Sequence, residues 1–225
     1  MKRPIVITKD GSSSVFDTQT GQHFHSQFGA VQESKHIFID AGWRAISKIV
    51  SGEIAVLEVG MGTGLNILLT YLESTKEMRA VFYETVEKYP LTPNEVAQLN
   101  YLTFLHTPEA ASFFSKLHTC HWENVQKLTP SFTFLKHHCS ALDLAYQQQF
   151  FNLVYYDPFS PEVQPELWSY EIFLKISQSM KPDGILVTYC IKGEVKRILK
   201  SLGFFVEKLP GPPGKREFLR ARVLH

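Results

Sequence analysis

VLEVGMGTGLN, at residues 56–66, joins a short apolar run to three glycines spaced G-x-G-x-G, and the fold follows from that junction. The run IAVLEVG (54–60) lacks polar alternation, as expected of a strand covered on both faces. Glycine lets the backbone turn sharply and lie against a ligand with no Cβ in the way. The following ILLTYLEST continues as a helix. In open α/β sheets, ligands bind outside the carboxyl ends of the strands, beside the point where strand order reverses. Dinucleotide sites use G-x-G-x-x-G, whereas this loop is tighter and Glu58 precedes it. A carboxylate there would repel a pyrophosphate but suits a ligand carrying a cationic sulfonium and an ammonium group. Glu58, Gly60, Met61, Gly62 and Gly64 are therefore candidates for a cofactor site.

Outward from this loop, apolar runs and helical spacings alternate. MRAVFYETV (78–86), FTFLKHHCSA (132–141), NLVYYDPF (152–159), ILVTYC (185–190), FFVEKL (204–209) and REFLRARVL (216–224) read as further strands. Thr92-Pro93-Asn94-Glu95 starts a helix, residues 107–131 read as helix and loop, and 166–180 and 194–203 as helices. Lys181-Pro182-Asp183-Gly184 reads as a turn. The pattern implies an α/β, Rossmann-like, doubly wound sheet of seven strands. Only Pro210–Arg216 separates the last two strands, too short for a helical crossover, so they should form an antiparallel terminal hairpin. Before residue 51, Asp10-Gly11 and Thr20-Gly21 mark hairpin turns, and Ile37, Phe38, Ala41, Ala45, Ile46 and Ile49 mark a helix over 31–50. The division is thus a β-hairpin/helix extension at 1–50 and the Rossmann-like domain at 51–225.

Composition narrows the class. The formal net charge is +1, which excludes a polycationic coat for nucleic acid, yet residues 181–225 hold ten Lys/Arg against four Asp/Glu. A basic end of this kind attracts a polyanion or serves as a solvated face. Cys120, Cys139 and Cys190 are odd in number and widely spaced, so reduced thiols in a cytoplasmic protein are expected. No segment has the length of a signal-peptide core or a membrane span. The histidines offer no metal-binding spacing. His137-His138 would face opposite sides of a strand, and His23 and His25 carry only a slight case, so no metal is expected.

Three later segments carry candidate chemistry. Glu84 and Glu87, about 20 residues beyond the glycines, are both placed to accept ribose hydroxyls. Ser140 and Ala141 fall where an adenine edge would pack, with Asp143 close by. Asp157-Pro158-Phe159-Ser160-Pro161 resembles the D/N-P-P-Y/F run of amino-group methyltransferases. A nitrogen nucleophile must be neutral, with its lone pair aimed at the methyl carbon. A carboxylate and a prolyl carbonyl can accept the amine hydrogens and set that direction. Asp157 is therefore the candidate catalytic acid and a cofactor contact, while Pro158 and Phe159 would contact substrate, the ring stacking on a flat base.

ESKHIFIDAG (33–42), LEVGMGTGLN (57–66), ETVEKYPLT (84–92), YYDPFSPEVQPELWS (155–169), KPDGILVTYC (181–190) and GPPGKREFLRA (211–221) occur in an order that resembles one family. It is the methyltransferase domain of the tRNA 5-methylaminomethyl-2-thiouridine biosynthesis proteins (MnmC), here similar to the stand-alone MnmD-like form, since no flavin-dependent oxidase segment follows. The resemblance implies a class I S-adenosylmethionine-dependent methyltransferase acting on the amine of 5-aminomethyl-2-thiouridine at the tRNA wobble position. It implies Glu87 on the ribose, Glu58, Gly60, Gly62, Gly64 and Asn66 lining the cofactor, and Asp157 on the amine. It also implies Lys215 and Arg216, with Lys192, Lys196, Arg197 and Arg220, against the anticodon stem-loop. Other modification enzymes would supply the aminomethyl base. Pro158 stands where that family commonly has glycine. Rival readings are an N-methyltransferase of proteins or small molecules, and a non-catalytic module that binds cofactor or RNA.

Overall fold

The structure, a computed structural model, describes residues 3–105 and 107–224. The first two residues of the expected 1–50 segment and the last residue of 51–225 lie outside that description. The strands in chain order are β1 (Ile5–Ile7), β2 (Ser13–Asp17), β3 (Gln22–His23), β4 (Ile54–Val59), β5 (Val81–Val86) and β6 (Gln126–Thr129). There follow β7 (Phe132–His137), β8 (Phe151–Tyr156), β9 (Met180–Thr188), β10 (Phe204–Pro210) and β11 (Glu217–Val223). β1–β3 form a small antiparallel sheet, and the other eight form one sheet in the order β10-β11-β9-β8-β4-β5-β7-β6. From β9 to β7 every pairing is parallel, while β11 runs antiparallel to both β9 and β10. The doubly wound fold and its reversed terminal hairpin are as the sequence implies.

The sheet has one strand more than the seven expected. β6 adds antiparallel to β7 at the edge, with a register shift between Lys127 and Thr129. Its four residues, QKLT, bury only Leu128 fully, so they carry no apolar run to mark a strand. The second core strand starts at Val81, because Met78 has φ 51° and terminates the preceding helical turn. Residues 181–184, expected as a turn, lie instead within the strand β9. β9 continues through them as a bulge, with Asp183 at φ 60°, and its partners on β8 shift from Phe151 opposite Met180 to Leu153 opposite Ile185.

All six residues of β4 and of β8 are buried, which places these two strands at the centre of the core. The helix Leu65–Lys76, the helix Pro108–Thr119 and a helical stretch over 30–46 cover one face, while Tyr170–Ser179 and Gly193–Ser201 cover the other. Within 30–46, Lys35–Trp43 is wound as a π-helix and buries Ile37, Phe38, Ile39, Ala41, Gly42 and Trp43. The wider winding turns more residues toward the sheet than a 3.6-residue stripe allows. Ile49, counted in the expected stripe, lies past the helix and is exposed. Gly42 lets the π-helix lie on the sheet: a Cβ there would stand 3.0 Å from the Tyr155 ring and 3.1 Å from Val187. Gly42→Val should therefore lower unfolding free energy by about 1–3 kcal/mol through overpacking. Chemical denaturation measures this, and an unchanged midpoint would mean the helix is free to lift.

Candidate active site

β4 and β8 end side by side, and their exits are tied together. Asp157 N–H donates to the Val59 carbonyl at 3.0 Å, and Gly60 N–H donates to Val86 at the end of β5, also at 3.0 Å. Gly60 has φ 91°, and a Cβ on it would stand 2.8 Å from the Asp157 carbonyl oxygen. Only glycine accommodates both the turn and the contact. A cavity of about 400 Å³ opens above this junction, at the strand-order reversal. Gly60, Met61, Gly62, Asn66, Glu87, Ser140, Ala141, Asp157, Pro158 and Phe159 all line it, and so does Lys215, which the family resemblance sets against the anticodon stem-loop.

Two expected wall residues stand elsewhere. Glu58 lies within β4 with no exposed surface, beneath the wall. Its Oε1 accepts from Asn66 Nδ2 at 3.0 Å, and the same Nδ2 donates to Asp157 Oδ2 at 3.2 Å. Glu58 thus acts on the cavity through Asn66. Gly64 caps the helix Leu65–Lys76 in a left-handed conformation (φ 75°) and faces Leu117 and His118. Burial pushes both the Glu58 and Asp157 carboxyls well above the ordinary range. For Asp157 the charge of Glu33 adds to this, while Lys215 and the Asn66 hydrogen bond oppose it.

The two glutamates after β5 separate cleanly. Glu84 is buried inside the strand, and its Oε1 contacts His137 Nε2 at 3.1 Å. Glu87 lies beyond the strand end in the cavity wall. It accepts from Gly62 N–H (3.0 Å) and Tyr89 N–H (2.8 Å), which fixes the carboxylate while leaving lone pairs for a ligand. Asp143 is exposed and outside the wall, so Ser140 and Ala141 occupy that side without it.

Asp157-Pro158-Phe159 is held from three directions. Tyr189 O–H donates to the Pro158 carbonyl at 2.8 Å, and Trp168 Nε1–H donates to the Phe159 carbonyl at 2.8 Å. Gln22 Nε2 donates to Ser160 Oγ at 2.7 Å. Phe24 meets Phe159 edge to face with ring centres 5.2 Å apart. The N-terminal segment therefore builds one wall of the cavity through Gln22, Phe24, His25 and Glu33, none of which sequence reasoning selected for such a role. His25 Nε2 lies 2.8 Å from Thr63 Oγ1 in the glycine loop, and burial pushes the imidazole down to about 4.

The basic residues divide. Lys215 points into the cavity and pairs with Glu33 at 2.7 Å, whereas Arg216 is exposed and outside it. Arg220 pairs across the hairpin with Glu207 at 3.0 Å, and Lys192 pairs with Glu162. Among the described residues, no three His, Cys, Asp or Glu side chains gather as a metal site would need, and no helix is long and apolar enough to cross a membrane.

Residues 109–223, just over half of the chain, match the family described as S-adenosyl-L-methionine-dependent methyltransferase. The chain belongs to that family. Among curated relatives, the tRNA 5-methylaminomethyl-2-thiouridine biosynthesis bifunctional protein MnmC of Aromatoleum aromaticum is 28% identical over 97% of this chain and 35% of that protein. Its namesake in Leptospira interrogans is 30% identical over 87% of this chain and 32% of that protein. The chain thus spans about a third of the length of these relatives. The crystal structure of MNMC2 from Aquifex aeolicus superposes with a TM-score of 0.81 at 25% identity, covering 100% of this chain and 70% of that one.

The cavity of this methyltransferase fits the cofactor its family uses. Gly60 and Gly62 line the cavity with backbone alone, and Asn66 Oδ1 is a buried acceptor with no partner in the protein. A buried, unsatisfied acceptor costs about 1–3 kcal/mol, which a donor on a bound ligand would offset. Glu87→Gln should weaken binding of S-adenosylhomocysteine about tenfold or more, and Glu84→Gln less than about threefold, in titration calorimetry. Equal losses would mean that Glu87 does not contact the ligand. The His25 imidazole should show no titration by NMR between pH 5.5 and 7.5, because its folded-state value lies near 4. A group lowered in this way contributes stability at neutral pH that is lost as pH falls from about 6.5 toward 4.

Proposed function

We propose that this methyltransferase transfers a methyl group to the amine of a 5-aminomethyl-2-thiouridine at the wobble position of tRNA, in the cytoplasm. Asp157-Pro158-Phe159 at the end of β8, lining the cofactor cavity, is the observation that carries the reading. The name of the MnmC relatives supplies the base. Glu87 would hold the ribose, Ser140 and Ala141 would meet the adenine, and Gly60, Met61, Gly62 and Asn66 would bound the rest of the cofactor. When bound, the cofactor supplies an electrophilic methyl group on a cationic sulfur, which leaves neutral with the carbon–sulfur electron pair.

An alkyl ammonium has no lone pair, so an acceptor in that form must first lose a proton. The Asp157 carboxylate accepts it, and the Pro158 carbonyl accepts a remaining N–H, with its other lone pair held by Tyr189. These two acceptors fix the direction of the nitrogen lone pair. The aromatic pair Phe24 and Phe159 presents apolar surface for a flat base, and burial of Asp157 raises its basicity. Exposed Arg216 and Arg197 remain available for phosphates, with salt-sensitive binding. Other enzymes must install the aminomethyl group beforehand.

The test is methylation of tRNA carrying aminomethyl-uridine, beside bulk peptides, by wild type and Asp157→Asn. Wild type should label only the tRNA. The variant should lose turnover about 10²-fold or more while its cofactor affinity changes little. Peptide labelling, or a fully active variant, would overturn the reading.

A further inference from the structure

Lys215 and Glu33 line the cavity but have no part in the chemistry above. Glu33 sits on the helix Ala30–Ser34 and is almost fully buried. Its Oε2 accepts from Ser26 N–H at 2.7 Å, and its Oε1 meets Lys215 Nζ at 2.7 Å. Lys215 reaches in from the turn between β10 and β11, and its ammonium lies 4.2 Å from the centre of the Tyr189 ring. The Tyr189 hydroxyl holds the Pro158 carbonyl, one residue from Asp157. The chain therefore brings its two ends together on the acceptor side of the cavity.

The surrounding contacts hold that turn in place. Gly214 has φ 86°, and the Phe28 ring fills the space where its Cβ would stand. Lys9 Nζ lies 4.2 Å from the centre of the same ring. His36 Nε2 meets the Pro210 carbonyl at 2.7 Å. Ordering a lysine side chain costs rotamer entropy, and a buried ion pair contributes little net stability after desolvation. Folding alone gives weak reason to hold Lys215 here.

We infer that Glu33 is a positioning residue for the acceptor amine: it holds the Lys215 ammonium against Tyr189, so that the cation steadies Asp157 without occupying the carboxylate oxygens the amine needs. The inference rests on the reading of Asp157 as the amine-orienting acid. The groups that face Asp157 are Glu58 from β4, Tyr83 from β5, Asn66 from the helix Leu65–Lys76, Glu33 from Ala30–Ser34, Lys215 from the β10–β11 turn and Tyr189 after β9. Of these, Glu33 favours the protonated form of Asp157 and Lys215 the ionised form. Removing either one should therefore move the ionisation of Asp157, in opposite directions.

The experiment compares turnover against pH for wild type, Glu33→Gln and Lys215→Met on aminomethyl-uridine tRNA. It also counts protons released on binding S-adenosylmethionine, by calorimetry in two buffers of different ionisation enthalpy. In Glu33→Gln the acid limb should move to lower pH, fewer protons should be released, and the plateau rate should fall roughly tenfold as freed Lys215 pairs with Asp157. In Lys215→Met the limb should move to higher pH and more protons should be released. A general loosening of the cavity would move both variants the same way, and that result, or limbs and proton counts equal to wild type, would overturn the inference. If wild type methylates no tRNA, the reading of function fails instead. The opposed proton counts would still decide the roles of Glu33 and Lys215.

Discussion

The exits of β4 and β8 cannot be separated. The Asp157 amide bonds to the carbonyl of Val59, and the backbone of Asp157 occupies the space a side chain at residue 60 would need. This contact sets the distance between the glycine loop and the Asp157-Pro158-Phe159 turn, so a cofactor on the loop and an acceptor on the turn must meet. Burial of both strands on both faces makes the geometry stiff. Preorganisation of this kind is worth several kcal/mol to a transfer reaction, because the acceptors need no rearrangement when the amine arrives.

The same burial creates the electrostatic character of the site. Glu58 and Asp157 share one donor, Asn66 Nδ2, and neither carboxyl is solvated enough to ionise at its ordinary pH. A cationic ligand in a cavity with two such groups beside it favours their ionised forms, and the ionised forms in turn hold the cation. This is the physical link between the acidic residue before the glycines and a sulfonium cofactor. The link runs through Asn66 rather than through direct contact with Glu58.

The glycine loop, the parallel core and the reversed hairpin were legible because each leaves a local mark: G-x-G-x-G, unbroken apolar runs, and a gap too short for a crossover before the last strand. The choice between Glu84 and Glu87 was not, since it depends on β5 ending at Val86, and strand ends carry no mark of their own. The wall formed by Gln22, Phe24, His25 and Glu33 was invisible for a different reason. β1–β3 are short and irregular in pattern, and their contacts with the cavity span more than a hundred residues of sequence in the case of Gln22 and Ser160. Lys215 read as one charge in a basic tail because spacing cannot tell a lysine in solvent from one resting on Tyr189. The π-helix at Lys35–Trp43 escaped because its burial breaks the 3.6-residue period.

A crystal structure of the protein with S-adenosylhomocysteine tests the central claim most directly. The expected density places the adenine beside Ser140 and Ala141, the ribose hydroxyls on Glu87 and the sulfur toward Asp157, with the amino-acid end at Asn66. Density running elsewhere, or none in a crystal grown at saturating ligand, would contradict the account.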